Sequence, residues 1–304
     1  MQAGIVYATL SYLIWGAFPL YIKQLGQVSA GEILLHRMLW CLVFLALVLA
    51  WQGRWAWLGR ALRQPRTLAR FAASAGVLTL NWYLYVWAVN HGHVVDASLG
   101  YFINPLLNVV VGYLLLHERL RPLQWAAVGL AFCGVVWLTW EAGSLPWIGL
   151  GIALSFGTYA LLRKTAELGP LEGLSLETLL LAPPAAACLA WLAWTGQSAF
   201  FPPGGTNEGV RHAGEASLTA TRLLLAAAGP LTALPILMFA TGARRLSLSL
   251  LGVLQYVAPT LQLLLGVLLY GEPLAGPKLA GYAAVWAALA LYSAEGLWQS
   301  QRKA

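Results

Sequence analysis

Residues 98–122 read SLGYFINPLLNVVVGYLLLHERLRP, and residues 252–276 repeat the stretch without a gap as GVLQYVAPTLQLLLGVLLYGEPLAG. Leucine matches carry little information in so apolar a chain. Three other residue types keep their mutual spacing in both copies, namely Pro105 and Pro259, Gly112 and Gly266, and Glu118 and Glu272. Matches of three unlike residues at one fixed offset indicate an internal duplication.

The composition of the chain indicates that lipid is its solvent. Hydrophobic residues make up 60% of the 304 residues, charged residues only 10%, and the mean hydropathy is +0.70. A soluble domain carries about 25% charged residues. The 15 Trp and 12 Tyr residues fit aromatic belts at membrane interfaces. The net charge of +7 is therefore a topology signal, and we expect no nucleic-acid partner.

Hydropathy predicts an all-α membrane protein. A membrane-crossing helix needs about 20 predominantly apolar residues. Ten such stretches, numbered here as spans 1 to 10, occupy residues 3–23, 30–51, 68–89, 94–116, 122–140, 146–162, 174–194, 221–241, 246–270 and 277–298. The segment 196–219, rich in Gly and Pro, separates spans 7 and 8 and reads as a flexible outer loop.

The basic residues between the spans set the orientation, because cytoplasmic loops carry an excess of Lys and Arg. If the N-terminus is cytoplasmic, only Lys23, Arg211, Arg222 and Lys278 of the 18 basic residues fall on the outer side, while Arg37 lies within span 2. We therefore predict that both termini face the cytoplasm.

Ten spans divide into two repeats of five, residues 1–140 and 141–304. An odd number of spans per repeat forces the two repeats into opposite orientations. A weaker echo at an offset of 141 positions places Lys23 opposite Lys164. Inverted repeats of this kind are common in transporters, with the substrate site near the middle of the membrane.

Span 2 carries three ionisable residues, Glu32, His36 and Arg37. Glu32 and His36 are four positions apart and share a helix face. Histidine is the side chain whose ordinary pKa lies closest to neutral pH, so this pair is a candidate for proton coupling. The alternative is an interfacial ion pair that orients the helix. Arg37 lies deeper and is the better candidate for handling substrate charge.

Spans 3 and 4 carry polar and aromatic residues at membrane depth, where polar groups usually face the bundle interior. Those in span 3 are Asn81, Trp82 and Tyr85; those in span 4 are Asp96, Tyr101, Asn104 and Asn108. Pro105 should kink span 4 and free the carbonyl of Tyr101. We expect the polar and aromatic residues of spans 3 and 4 to contact substrate; the alternative is that they form hydrogen bonds between helices. Asp96 is a separate candidate, either for charge coupling or for capping the helix.

The second repeat carries a matching set in span 9. Gln255 and Tyr256 precede Pro259, which should kink span 9 as Pro105 kinks span 4. Trp15 in span 1 and Tyr159 in span 6 complete the candidate substrate contacts. Glu118 and Glu272 lie at helix ends, where carboxylates commonly bond loop backbone rather than gate a pathway.

The sequence contains no enzyme signature, since it has no nucleotide-binding loop, no HExxH and no GxSxG. The three cysteines, Cys41, Cys133 and Cys188, show no metal spacing, so we expect neither a metal nor a cofactor.

Several motifs resemble one known family. They are LIWGxxP at residues 13–19, EILLHR at 32–37, NW at 81–82, DASLGYFINP at 96–105, QYxxPT at 255–260 and YGE at 270–272. These are similar to RarD proteins of the EamA group in the drug/metabolite transporter superfamily, and the similarity extends over nearly the whole chain. The resemblance implies the ten-helix inverted-repeat fold, a bacterial inner-membrane location and a cavity lined by spans 1, 3, 4, 6, 8 and 9.

The sequence thus predicts a secondary transporter of small organic solutes that works by alternating access. The alternative is a receptor or assembly subunit that keeps a transporter fold and moves no solute. Mid-depth polar stripes in both repeats favour transport.

Overall fold

The structure is a computed structural model, and it describes residues 2–116, 121–142, 145–164, 166–202, 217–243, 245–246, 254–274 and 276–303. Within these residues all regular structure is helical. In chain order the helices are α1 (Gln2–Gly16), α2 (Phe18–Lys23), α3 (Ala30–Gln52), α4 (Ala56–Leu62), α5 (Pro65–Asn90), α6 (Val94–Leu116), α7 (Pro122–Ala142), α8 (Trp147–Lys164), α9 (Pro170–Trp194), α10 (Leu218–Ala243), α11 (Val257–Leu264) and α12 (Pro277–Lys303).

Within the described residues, each of the ten predicted spans contains helix, and residues 247–253 of span 9 lie outside that description. Five helices are long and apolar enough to cross a membrane, namely Gln2–Lys23, Ala30–Gln52, Pro122–Glu141, Pro170–Trp194 and Leu218–Phe239. Two apolar helical segments are shorter: Trp147–Arg163 within α8, and Val257–Leu269, in which α11 continues into the π-helix Leu265–Leu269. Length and hydropathy therefore bear out the all-helical membrane fold and five of the predicted crossings.

Helix ends follow local sequence signals. The hydroxyl of Ser29 accepts a hydrogen bond of 3.2 Å from the backbone N–H of Glu32 and caps α3. Gly53 ends α3 with a φ of 63°, a conformation that glycine adopts without steric cost. Pro122 and Pro277 begin α7 and α12, as first-turn prolines do because their missing N–H would be unpaired there anyway.

Two of the predicted spans are interrupted. Ala17 separates α1 from α2, just before Pro19. In span 9, turn residues Gln255 and Tyr256 precede α11, which places Pro259 in the first turn of that helix. The kink at Pro259 stays a prediction; the turn lies at Gln255, the residue whose carbonyl the proline leaves without an N–H partner.

Small residues allow the helices to approach closely. A Cβ on Gly229 of α10 would collide with the backbone of Trp40 in α3. A Cβ on Gly100 of α6 would lie 2.6 Å from the carbonyl oxygen of Gly149 in α8. Such contacts are typical of helix packing in lipid, where dispersion replaces the hydrophobic effect as the driving force.

Two pairs of packed helices, α7 with α12 and α3 with α9, run antiparallel. In the pair α7 and α12, Arg121 at the start of α7 bonds Glu295 near the end of α12, at 2.8 Å. At the other end of the same pair, Trp137 donates to the carbonyl of Pro277 at 2.7 Å. In the pair α3 and α9, Arg54, just beyond the end of α3, bonds Glu172 in the first turn of α9.

Candidate functional site

Arg37 of α3 is buried among side chains from α2, α5 and α10. Its side chain is buried, and its Nε–H donates a hydrogen bond of 2.7 Å to Oγ1 of Thr232 in α10. Its Cζ atom lies 4.1 Å from the ring centroid of Trp82 and 4.8 Å from that of Phe18. The guanidinium is therefore stabilised by two cation–π contacts and one hydrogen bond.

Three tyrosines complete an aromatic shell around this cation. Tyr21, Tyr85 and Tyr101 lie within electrostatic range of the guanidinium. The ring centroids of Tyr85 and Tyr101 are 5.8 Å apart, and that of Phe18 lies 5.4 Å from Tyr21. We call this group the Arg37 cluster, and its members are Phe18, Tyr21, Arg37, Trp82, Tyr85 and Tyr101. The structure thus brings together four of the predicted site residues, Arg37, Trp82, Tyr85 and Tyr101.

Asn81 and Asn104 differ in how their amides are used. The Nδ2 group of Asn81 donates at 3.0 Å to both the carbonyl of Ile152 and the hydroxyl of Ser155, so this amide ties α5 to α8. The Oδ1 atom of Asn104 is buried and accepts no hydrogen bond within the described part of the chain. Asn104 therefore has free hydrogen-bonding capacity, whereas the donors of Asn81 are used in helix packing.

Trp15 belongs to a second aromatic group near the start of the chain. Its ring centroid lies 5.6 Å from that of Tyr12 and 5.9 Å from that of Phe239. Its carbonyl oxygen accepts a hydrogen bond of 3.0 Å from Nε2 of Gln262. Pro19, four residues on, has no N–H to offer that carbonyl, so the side chain from α11 supplies the missing donor.

Gln255 and Tyr256 lie at the break before α11, and both are partly buried. Tyr256 packs against the apolar cluster that joins α6, α7 and α12. These two residues therefore lie at the chain discontinuity of the second half, apart from the Arg37 cluster.

Glu32 and His36 contact residues 198–200, at the start of the segment that joins α9 to α10. The carboxylate of Glu32 accepts hydrogen bonds from the hydroxyl of Ser198 at 2.8 Å and from the backbone N–H of Ala199 at 3.0 Å. The ring of Phe200 stacks on His36 with centroids 4.8 Å apart. Nε2 of His36 lies 3.9 Å from Oε1 of Glu32, a contact too long for a hydrogen bond.

The sequence interpretation missed a buried acid. Glu177 in α9 is fully buried and accepts hydrogen bonds from Ser74 and, at 3.3 Å, from the predicted site residue Tyr159. Nη1 of Arg163 lies 3.7 Å from its carboxylate. The offset of 141 positions that pairs Lys23 with Lys164 also places Glu177 opposite His36, and this signal was available in the sequence.

Asp96 and Glu272 lie near the start of α6. Asp96 is 3.0 Å from Nδ1 of His93 and half exposed, which suits a helix-end ion pair rather than a deep coupling site. The carboxylate of Glu272 accepts the backbone N–H groups of Val94 and Val95 at 2.9 and 2.7 Å. Glu272 thus bonds the backbone of another helix start, as carboxylates at helix ends were expected to do.

Other predicted features lie outside the described residues. These are the side chains of Pro105 and Asn108, all of Glu118, and residues 203–216 of the outer loop. Among the residues that the structure does describe, no group of three His, Cys, Asp or Glu side chains is placed to hold a metal ion.

A groove in the described part of the chain has a lining that includes no member of the Arg37 cluster. It has a volume of about 500 Å³ between α6, α7 and the start of α8, and its lining is apolar except for Thr139. Phe132 and Trp140, which line it, are among the exposed hydrophobic residues of α7. A groove of this kind suits contact with lipid chains better than recognition of a polar solute.

Comparison with known proteins gives consistent matches. The model of the EamA-like transporter family matches residues 2–140. Protein RarD of Escherichia coli (strain K12) is 40% identical over 99% of this chain and 97% of its own length. An uncharacterized transporter of Pseudomonas aeruginosa is 47% identical over 100% of this chain and 97% of its own length.

A solved crystal structure with 22% sequence identity superposes with a TM-score of 0.58, covering 97% of this chain and 98% of that one. At this identity the similarity extends to the fold alone.

Proposed function

This chain belongs to the EamA-like transporter family, and we propose that it is a secondary transporter that carries a small organic solute by alternating access. The Arg37 cluster carries the proposal. Its residues come from α2, α3, α5 and α6, and Arg37 bonds Thr232 in α10. A buried polar site between the two halves of the chain is where a transporter of this architecture binds its substrate.

We propose two inverted repeats, residues 1–140 and 141–304, with ten membrane crossings and both termini in the cytoplasm. The antiparallel pairs α3 with α9 and α7 with α12 support this arrangement. So do the matched contacts of the halves, since α1 packs on α10 as α8 packs on α5. The protein is a multi-pass membrane protein with bacterial relatives, and the inner membrane is its proposed location.

Within this site, Trp82, Tyr85 and Tyr101 supply stacking surface and Arg37 supplies charge. Asn104 offers an unpaired carbonyl oxygen one turn beyond Tyr101. Trp15, Asn108, Gln255, Tyr256 and Tyr159 remain proposed contacts in other states of the cycle. The breaks before α2 and α11 would let these helices pivot as the halves rock. Each break is followed by a proline, which fixes where the break occurs.

The family consists of transporters rather than enzymes, so the direct test is solute flux. Proteoliposomes containing the purified protein would be loaded with a bacterial metabolite extract, and mass spectrometry would follow which solutes leave. We expect selective, saturable loss of a small set of solutes. Loss that equals the loss from protein-free liposomes would favour the receptor or assembly subunit instead.

A further inference from the structure

The guanidinium of Arg37 has no anionic partner in the described part of the chain. Nε–H donates to Thr232, and no acceptor there lies within bonding distance of the other N–H groups. No carboxylate from the same residues lies within 4.0 Å. An unpaired charge at membrane depth is costly, and such residues normally pair with another group or mark a substrate path.

The three buried acids of the described residues are each engaged elsewhere. Glu32 holds residues 198–200, Glu177 accepts from Ser74 and Tyr159, and Glu295 pairs with Arg121. None of them is free to neutralise Arg37 without breaking these contacts.

The surroundings of the cation add two features that a ligand would use. The rings of Phe18 and Trp82 stabilise the charge but offer no conventional hydrogen-bond acceptor to its N–H groups. The hydroxyl of Tyr85 is buried and makes no hydrogen bond among the described residues. A guanidinium presents paired N–H groups that match the two oxygens of a carboxylate, and the phenol adds a further donor.

We propose that the transported solute is an organic anion, with a carboxylate bound by Arg37 and a planar ring packed among Trp82, Tyr85 and Tyr101. The carboxylate would supply the missing counter-charge, so Arg37 would be fully paired only in the loaded transporter. Because this inference rests on the proposed transport function, its test has to measure binding apart from flux.

The test compares each aromatic acid with its neutral amide, a pair that differs chiefly in charge. Three acids, benzoate, 1-naphthoate and indole-3-acetate, would each be titrated with their neutral amides into the protein in lipid nanodiscs at pH 7, by calorimetry. Tryptamine supplies a cation on the indole ring, and acetate supplies the anion without a ring. We expect at least one acid to bind roughly tenfold or more tightly than its amide, the size of a charge-assisted hydrogen bond.

Variants identify the residue responsible. Arg37→Gln should remove the preference for acid over amide, while Arg54→Gln, an exposed arginine, should keep it. If Arg37→Gln fails to fold, Arg37→Lys keeps the charge and should keep part of the preference, because an ammonium cannot pair bidentately. Thr232→Val would then test the role of Arg37 through its hydrogen bond to Thr232, because it removes the acceptor and keeps the charge.

Several outcomes would overturn the proposal. The first is that none of the three acids binds. The second is that an amide, tryptamine or acetate binds as tightly as the acids do. The third is that the preference for acid over amide survives in Arg37→Gln. Anion binding without any solute flux would instead contradict the transport function and leave the site intact. Flux of neutral or cationic solutes that is unchanged in Arg37→Gln would contradict the anion inference alone.

Discussion

Arg37 donates a hydrogen bond of 2.7 Å from Nε to the hydroxyl oxygen of Thr232 and so links α3 to α10. The two residues lie 195 positions apart, one in each proposed repeat. This bond fixes the guanidinium against Trp82 and leaves its terminal N–H groups for an incoming acceptor. Loss of the Thr232 hydroxyl would free the side chain of Arg37 to move away from the aromatic rings around it.

Replacing Thr232 with Val removes the hydroxyl and keeps the shape of the side chain. We expect a loss of about 1.5–3 kcal/mol in stability, the usual value of a hydrogen bond that involves a charged group, together with reduced solute flux. Thermal unfolding and proteoliposome flux measure the two effects. Thr232→Ser retains the hydroxyl and should behave like the wild type; equal behaviour of Val and wild type would show that the bond has no role.

Replacing Asn104 with Leu tests the unpaired side-chain carbonyl oxygen of this α6 residue. The side chains are similar in size, and Oδ1 of Asn104 makes no hydrogen bond within the described residues, so folding should be little affected. We expect transport to be abolished while size-exclusion chromatography still gives a folded protein. Asn81→Leu is the informative contrast, because it breaks bonds to α8 and should lower thermal stability. Unchanged flux in Asn104→Leu would remove Asn104 from the site.

Glu32 should control access to residues 198–200. Its carboxylate accepts hydrogen bonds from Ser198 and from the backbone of Ala199, so Glu32→Ala would release the segment. A cysteine placed at Ala199, in a background without the native cysteines, should react with a membrane-impermeant maleimide several-fold faster when Glu32 is replaced.

The same labelling experiment tests the proposed orientation. Ala199 belongs to the loop assigned to the outer side, so intact cells should be labelled. Equal rates with and without Glu32 would show that the carboxylate does not hold the loop. Labelling of inside-out vesicles alone would reverse the topology.

Gly229 marks the closest approach of α10 to α3. A single methyl group there would collide with the backbone of Trp40, and backbone moves less readily than a side chain. Gly229→Ala should therefore cost about 1–3 kcal/mol, the usual penalty for overpacking. Gly76→Ala in α5 is the matched control, since a Cβ there meets nothing within 4 Å. Thermal unfolding in the same lipid compares them; equal melting temperatures would contradict this packing.

Hydropathy and prolines predicted much of the fold because lipid imposes strict rules. Every backbone group in the membrane must be satisfied within the chain, so long apolar stretches become helices. Pro19 and Pro259 lack an N–H and so leave one backbone carbonyl without its helical donor, and a break in the helix lies close to each of them. In span 9 the turn at Gln255 and Tyr256 lies just before Pro259, the residue at which the sequence predicts a kink.

Polarity at membrane depth also selected Arg37, Trp82, Tyr85 and Tyr101, which meet in one cluster. It could not predict partners, because these depend on how helices cross. Asn81 was expected to face substrate, yet its donors reach Ile152 and Ser155 across the α5–α8 contact. Glu177 was not among the predicted site residues, and its contacts with Ser74, Tyr159 and Arg163 depend on how α9 packs against α5 and α8.

The central claim is that this protein moves solute through a site built around Arg37. Metabolite efflux from proteoliposomes, measured for the wild type beside Arg37→Gln and protein-free liposomes, tests it most directly. We predict selective efflux of organic anions with the wild type, and efflux at the protein-free level with Arg37→Gln. Wild-type efflux indistinguishable from that of protein-free liposomes, or identical efflux from wild type and Arg37→Gln, would contradict the account.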